Sequence, residues 1–248
     1  MGLYWEPCPG GARLLRLLGD TPCPAVPGTI EGLPVAELGP YCFADRPVRP
    51  GARRTGDDAH EITGNFVEEV TLPDTVRVLD SAAFYNCRRL RRLSVGAGDL
   101  TVGSDVFLNC FALADLLVRA APEEKTGLFA LVNNITEAVR ALFWLPGEAR
   151  PRAGLWYPAY WEDVEESPAH ILLHTFSGQG YHYRQCFLDN KFLPAEYDAI
   201  FPQGHDADDA AVMAMLCFAR LRYPWQLTEA AAGHYRAFLA ANTDRVFA

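Results

Sequence analysis

An internal repeat constrains this chain more than any other feature. Phe84-Tyr85-Asn86-Cys87 returns as Phe107-Leu108-Asn109-Cys110, at an offset of 23 residues, and Leu90, Leu93 and Val95 return as Leu113, Leu116 and Val118. One period earlier the same columns hold Val67, Val70 and Leu72. Self-similarity at a period of roughly 20–50 residues is the mark of a solenoid, in which each turn cannot bury its apolar face alone and neighbours stack into one core. The spacing predicts short strands near 70–72, 93–95 and 116–118, stacked in parallel, with Phe84 and Phe107 filling the coil from the opposite wall. It also predicts that Cys87 and Cys110 lie side by side, and that each Asn bonds free backbone groups at a corner, as short amide side chains do.

The outward positions follow from the same columns. Glu69, Arg92 and Asp115 precede the inner column by one residue, so they stand side by side with alternating sign. That geometry suits cross-strand ion pairing. The run Arg88-Arg89-Leu90-Arg91-Arg92 holds more positive charge than such a ladder uses. The partner-binding set expected from this face is Arg88, Arg91, Arg92, Ser94, Asp115 and Leu117, directed at an acidic protein partner. Residues 46–64, rich in Arg, Pro and Gly without apolar period, read as an exposed loop leaving the coil.

Several of these residues together resemble a known family. Val70-Thr71-Leu72-Pro73-Asp74-Thr75-Val76, followed by Ala83-Phe84-Tyr85-Asn86-Cys87 and Leu90-x-x-Leu93, is similar to the BspA-type leucine-rich repeat of bacteria and some protists. Val26-Pro27-Gly28-Thr29-Ile30-Glu31-Gly32-Leu33-Pro34-Val35, then Leu38-Gly39 and Cys42-Phe43-Ala44, resemble that family's opening repeat, and Val35 to Phe43 matches Val76 to Phe84. The resemblance covers residues 12–119. It implies a leucine-rich-repeat fold and a role in adhesion or interaction, many such proteins lying on cell surfaces. This chain departs by its few repeats and by an N-terminus, MGLYWEPCPGGARLL, without a basic start and apolar core.

Composition narrows the partners. The formal net charge is −9. Nucleic acid is therefore an unsuitable partner, because affinity there comes from Lys and Arg on phosphates; an anionic membrane surface is unsuitable for the same reason. No run approaches the roughly 20 apolar residues of a membrane span. The seven cysteines include no Cys-x-x-Cys pair, so they read as free thiols of a reducing, cytoplasmic protein.

After residue 120 the columns vanish. The expected organisation is a leucine-rich-repeat solenoid over 1–120 and an α+β domain over 121–248, a mixed α/β chain ending in helices. Residues 138–145 read as a buried strand, and 155–157 begin another apolar segment. Residues 169–176 and 181–187 read as a hairpin about Ser177-Gly178-Gln179-Gly180. Helices are expected within 206–241, capped by Asp206 or Asp208 and by Thr228. Thr243 or Asp244 reads as a further helix start, as though the chain continued.

Chemistry-bearing residues are sparse. His170 and His174 would share a strand face, with His182 on the partner strand, which makes a three-His zinc site conceivable. Cys186 with His174 or His182 would make a thiol and base. Three unrelated polar positions is the plainer reading. No Gly-x-Gly-x-x-Gly, phosphate loop or Gly-x-Ser-x-Gly elbow occurs. The sequence thus points to a protein-interaction or scaffold module without cofactor. The alternative is a hydrolase-like or metal-dependent enzyme with its site in 156–187.

Overall fold

The computed structural model describes residues 1–205 and 208–246. Its first element is a hairpin that precedes the repeats. Strands β1 (Gly2–Cys8) and β2 (Gly11–Leu18) pair antiparallel. Gly11 at their turn has no room for a side chain: a Cβ would fall 2.0 Å from the Pro34 carbonyl oxygen. β3 (Thr29–Ile30) and β4 (Leu33–Leu38) follow, and β4 lies parallel to β2. β5 (Arg53–Gly56) then returns to the outer edge of β1. The 46–64 segment is therefore not simply an excursion. Its apolar poverty hid a strand held by backbone pairing, and the buried Arg16 ties both its ends, reaching the Arg46 carbonyl oxygen at 2.7 Å and Glu61 at 2.8 Å.

From β6 (Glu69–Thr71) the chain alternates between two walls through β7 (Val78–Leu79), β8 (Arg92–Val95), β9 (Thr101–Val102) and β10 (Asp115–Val118). One wall is the sheet β5-β1-β2-β4-β7-β9; in the other, β6, β8 and β10 run parallel with Val70, Leu93 and Leu116 in register. This is a leucine-rich-repeat solenoid of the expected period. Between the walls the rings of Phe43, Phe84 and Phe107 form one stack, with centroids 5.0 and 5.7 Å apart and planes within 3° and 11°. The thiol of Cys87 donates to the Phe43 carbonyl at 3.3 Å, and that of Cys110 to the Phe84 carbonyl at 3.0 Å, so each coil is bonded to the one before it. Burial pushes the Cys110 thiol up to about 12, so it stays protonated as a donor.

The Asn of each Asn-Cys pair has a different task from the expected backbone cap. Asn86 and Asn109 occupy the left-handed region, at φ 61° and 64°. Asn visits that region at lower cost than other residues with a Cβ. Their side chains bond each other, Asn109 Nδ2 donating to Asn86 Oδ1 at 2.7 Å.

The parallel wall does not stop at residue 120. β11 (Val139–Phe143) pairs in parallel with β10, and β12 (Ala153–Tyr157) closes the sheet antiparallel, giving the order β12-β11-β10-β8-β6. The step from Asp115 to Arg140 is 25 residues instead of 23. A short helix α1 (Leu128–Val132) occupies the stretch between them. Lost spacing and the absent Phe-x-Asn-Cys hide this turn in the sequence, although its backbone continues the ladder.

The expected hairpin over 169–187 is corrected. β14 (Leu172–Ser177) pairs upstream with β13 (Trp161–Glu166), and residues 181–184 belong to a helix, α2 (Gly180–Arg184). The tight packing of Gly180, where a Cβ would fall 2.1 Å from the Pro158 carbonyl oxygen, and the buried anchor Arg184 favour that helix. β15 (Phe187–Leu188) and β16 (Lys191–Phe192) form a two-residue hairpin with Asp189 and Asn190 both left-handed, as a type I′ turn requires.

The helices are α3 (Pro194–Gly204), α4 (Ala210–Arg222), α5 (Glu229–Ala241) and α6 (Thr243–Val246). Asp209 caps α4, with its carboxylate accepting from Ala211 N at 2.8 Å, while Asp208 accepts from Gln179 N instead. Asp206 lies outside the described residues. Thr228 caps α5 as expected. Arg220 of α4, Asp198 of α3 and Tyr235 of α5 meet in a buried clamp: two Arg–Asp bonds of 2.8 Å and one Tyr–Asp bond of 2.7 Å. Among the described residues no helix is long and apolar enough to cross a membrane.

Candidate functional site

The outward face of the five-stranded sheet is set by the alternation of β-residues. In β8, β10 and β11 the positions Leu93, Leu116 and Ala141 point into the core, so Arg92, Asp115 and Arg140 point out. Charge then alternates along neighbouring strands. Arg92 reaches Glu69 at 3.1 Å and Asp115 at 3.4 Å, and Arg140 reaches Asp115 at 2.8 Å. The expected three-membered ladder thus has a fourth rung, Arg140, whose strand lies beyond the visible repeat. The next outward row is Thr71, Ser94, Leu117 and Leu142.

The proposed partner residues have distinct surroundings. Arg89 and Arg91 both pair with Glu68, Arg91 at 2.7 Å. Much of the excess positive charge read into 88–92 is therefore neutralised by a residue one period upstream. Arg88 makes no ion pair among the described residues; it is exposed and borders a concavity of about 270 Å³ with Asp45, Arg46, Asn65 and Asn86. Ser94 is buried under Arg119, which donates to its hydroxyl at 2.5 Å, and is thereby removed from direct contact with a partner. Leu117 is half-buried. At the far end of the face, Gly154 of β12 lets α4 approach: a Cβ there would lie 2.6 Å from the Tyr223 ring and 3.3 Å from the Ala219 carbonyl oxygen.

The histidines do not converge. His170 and His174 lie on the exposed β13–β14 hairpin, each within 2.5 Å of a carboxylate, Glu166 and Glu162 respectively. His182 sits on α2 instead of a partner strand. Among the described residues no group of three His, Cys, Asp or Glu side chains is placed to hold a metal. The strand pairing that would have gathered His170, His174 and His182 does not form. His182 and Cys186 do share a cleft of about 420 Å³, with Glu196 and three glutamines, Gln179, Gln185 and Gln203. Burial pushes the Cys186 thiol up to about 12, and that thiol faces the His182 backbone carbonyl oxygen at 3.6 Å. A neutral, buried thiol is not a nucleophile.

Two features were missed in the sequence. One is the exposed β13–β14 hairpin: Trp161 and Val164 are three apart and fall on opposite faces of β13, so the run Trp161-Glu162-Asp163-Val164-Glu165-Glu166 carries no alternating signal of a strand. The second is a cleft of about 760 Å³ between the loop after β11 and the α4–α5 turn, lined by Arg150, Arg152, Arg222, Glu148, Tyr223 and Trp225. Its residues come from segments more than sixty positions apart, and no local pattern joins them.

No protein-family model matches the chain, and no curated protein matches it. Among solved structures, the leucine-rich repeat protein TpLRR of T. pallidum is similar over 47% of this chain, at 21% identity and a TM-score of 0.33. The match spans 50% of that protein's length.

Proposed function

We propose that this chain is a protein-interaction module of the BspA-like leucine-rich-repeat kind, acting in a bacterial cytoplasm and binding a protein partner across the outward face of its parallel sheet. One observation carries this reading. Glu69, Arg92, Asp115 and Arg140 satisfy one another from strand to strand, which leaves a pre-organised surface four strands wide with Leu117 and Leu142 half-exposed beside the charges. A broad face with internally balanced charge suits a macromolecule. Rigid presentation lowers the ordering cost of binding. The burial of Cys42, Cys87, Cys110, Cys186 and Cys217 suits thiols kept reduced.

Arg88 at the corner of this face carries the charge that is not already paired, so it is the residue that would steer an acidic partner. Steering changes association rate more than affinity. Reversing Arg91 or Arg92 would also leave Glu68, Glu69 or Asp115 facing a like charge, so Arg88→Glu is the cleaner probe. Partners captured by the wild-type chain from its source organism should associate more slowly with Arg88→Glu, with a weaker salt dependence. Leu117→Asp combined with Leu142→Asp should abolish capture while the circular-dichroism spectrum stays native. Undiminished capture by that folded double variant would remove the sheet face from consideration.

A further inference from the structure

The β13–β14 hairpin projects from the body with all twelve of its strand residues exposed. Trp161, Val164, Leu172, Leu173 and Phe176 are 39 to 68% exposed. An isolated two-stranded hairpin is marginal in water, and apolar clusters on display mark interaction sites. Its two faces differ in charge. On one face Glu162, Val164 and Glu166 oppose Phe176, His174 and Leu172, and both carboxylates are taken by His174 and His170. On the other face Trp161, Asp163 and Glu165 oppose Ser177, Thr175 and Leu173. Asp163 and Glu165 make no ion pair among the described residues. They stand two positions apart on one strand, about 7 Å from each other.

The 760 Å³ cleft has the complementary deficit. Arg150 and Arg222 make no ion pair among the described residues, and the Arg222 guanidinium lies 5.5 Å from the centre of the Tyr223 ring. Both bonds from Arg152 fall on one carboxylate oxygen of Glu148. The other oxygen, Oε2, is buried without a donor. Tyr223 and Trp225 supply an aromatic wall. Three arginines, Arg150, Arg152 and Arg222, against the carboxylates of Glu123 and Glu148 leave the cleft with net positive charge, so it asks for acidic groups, a hydrogen-bond donor and an apolar surface. One hairpin face offers all of these: Asp163 and Glu165, the Ser177 hydroxyl, and Trp161 with Leu173; the Thr175 hydroxyl already donates to the Asp163 carbonyl oxygen at 3.4 Å.

The geometry points to self-association in which the β13–β14 hairpin of one copy docks into the Arg150–Arg222 cleft of another. β12 leads from the cleft to the hairpin and spans roughly 17 Å, so the two sites lie at opposite ends of one strand. The contact is therefore made between copies. Made reciprocally it closes a two-fold dimer; made once per pair it is heterologous and builds a ring or an open chain. This contact uses neither the outward strand rows nor Arg88, and it stands apart from the partner reading above.

Sedimentation velocity of the full chain tests it, at concentrations up to about 1 mM, the weak end of specific association. The average mass should rise with concentration and fall back in about 0.5 M salt, where the screening length shrinks below about 5 Å. Arg150→Glu with Arg222→Glu should weaken association at least tenfold, as should Asp163→Arg with Glu165→Arg. An equimolar mixture of the two variants should regain it, because each hairpin then meets a cleft of opposite sign. All four positions are exposed, so native circular dichroism is expected. Should either variant unfold, Arg150→Gln with Arg222→Gln and Asp163→Asn with Glu165→Gln replace them, and each neutral pair must weaken association of the wild type. A wild type that stays monomeric throughout overturns the proposal. So does a dimer that both variants retain, or a mixture of folded variants that fails to recover.

Discussion

The coil and the helical end of this protein satisfy their buried backbone by opposite means. In the coil each strand's amide and carbonyl groups go to the next turn, and the side chains between the walls only need to stack: Phe43 on Phe84 on Phe107. On either side of β11 the chain turns irregularly, and its carbonyls there have no neighbouring turn. There a single side chain takes over. Arg184, fully buried on α2, donates to the carbonyl oxygens of Val132, Ile135, Glu137, Pro158 and Gly180 at 2.5 to 3.1 Å. No carboxylate lies within ion-pair distance of it among the described residues; its guanidinium faces the rings of Tyr160 at 4.9 Å and Tyr157 at 5.7 Å. Burial lowers its pKa to about 10, still high enough to keep it charged near neutrality. Repetition supplies backbone partners for nothing beyond the repeat itself, whereas an irregular region requires a placed cation.

That contrast predicts its own largest failure. Arg184→Met keeps the aliphatic stem but removes the guanidinium from five carbonyls, of which Val132's still accepts from Ile135 N at 3.3 Å; each one left buried without a partner costs about 1–3 kcal/mol. Relaxation and entering water will recover part of this, so a loss of about 5 kcal/mol is expected, read from urea or guanidinium melts. A loss below about 1 kcal/mol would show that those carbonyls find water and that the two regions do not differ in kind. Arg184→Lys tests geometry separately. A point charge with three donors cannot reach five carbonyls arranged for a planar fork, so Lys should recover less than half of the loss.

The matching change in the coil is Phe84→Ala. It removes the middle ring of the stack and leaves a cavity between two rings that cannot close it, so about 4 kcal/mol should be lost. The sharper observation concerns spread. Neighbouring coils share the stack, so amide exchange should quicken in the turns carrying Phe43 and Phe107 as well as in that of Phe84. Exchange confined to residues 80–95 would mean that the coils are energetically independent.

How much could be read in advance follows the same division. Phe84 and Phe107, Leu93 and Leu116, and the ladder Glu69–Arg92–Asp115 were legible because stacking forces equivalent residues onto equivalent chemistry at constant spacing. Arg140 completes the ladder in space and was invisible, since its rung lies at 25 residues and lacks the marker motif. Local patterns also recovered the caps Thr228 and, one residue off, Asp209. The expected hairpin over 169–187 fails because Ser177-Gly178-Gln179-Gly180 looks like a turn between strands, while Arg184, whose four distant carbonyls favour a helix there, is one ordinary letter. The cleft of Arg150 and Arg222 was hidden for the same reason: long-range assembly leaves no periodic trace.

A smaller effect separates conformation from bonding within the repeat itself. Asn109 is left-handed and also donates to Asn86. Asn109→Ala should cost about 2 kcal/mol, combining the left-handed penalty of roughly 1–2 kcal/mol with a lost hydrogen bond of about 1 kcal/mol. Asn109→Gly removes the bond but accepts the backbone angle, so about 1 kcal/mol should be lost. If Gly and Ala cost the same, the amide ladder and not the backbone angle explains Asn at this position.

The smallest expected effect tests whether the fourth rung belongs energetically to the coil. Arg140 bonds Asp115 at 2.8 Å, and Asp115 also receives Arg92 at 3.4 Å. The Arg140 side chain is 41% exposed, so solvent screens the pair and the expected loss in Arg140→Ala is only a few tenths of a kcal/mol. A double-mutant cycle with Arg92→Ala isolates what matters here. Asp115 lies between two cations, and removing one leaves the carboxylate to be shared with fewer donors. The cost of losing both arginines should therefore exceed the sum of the single losses, by up to about 0.5 kcal/mol, and this excess should vanish in about 1 M salt. Strict additivity at low salt would mean that Arg140 merely sits beside the ladder and that the repeat's electrostatics end at Asp115, where its visible spacing ends.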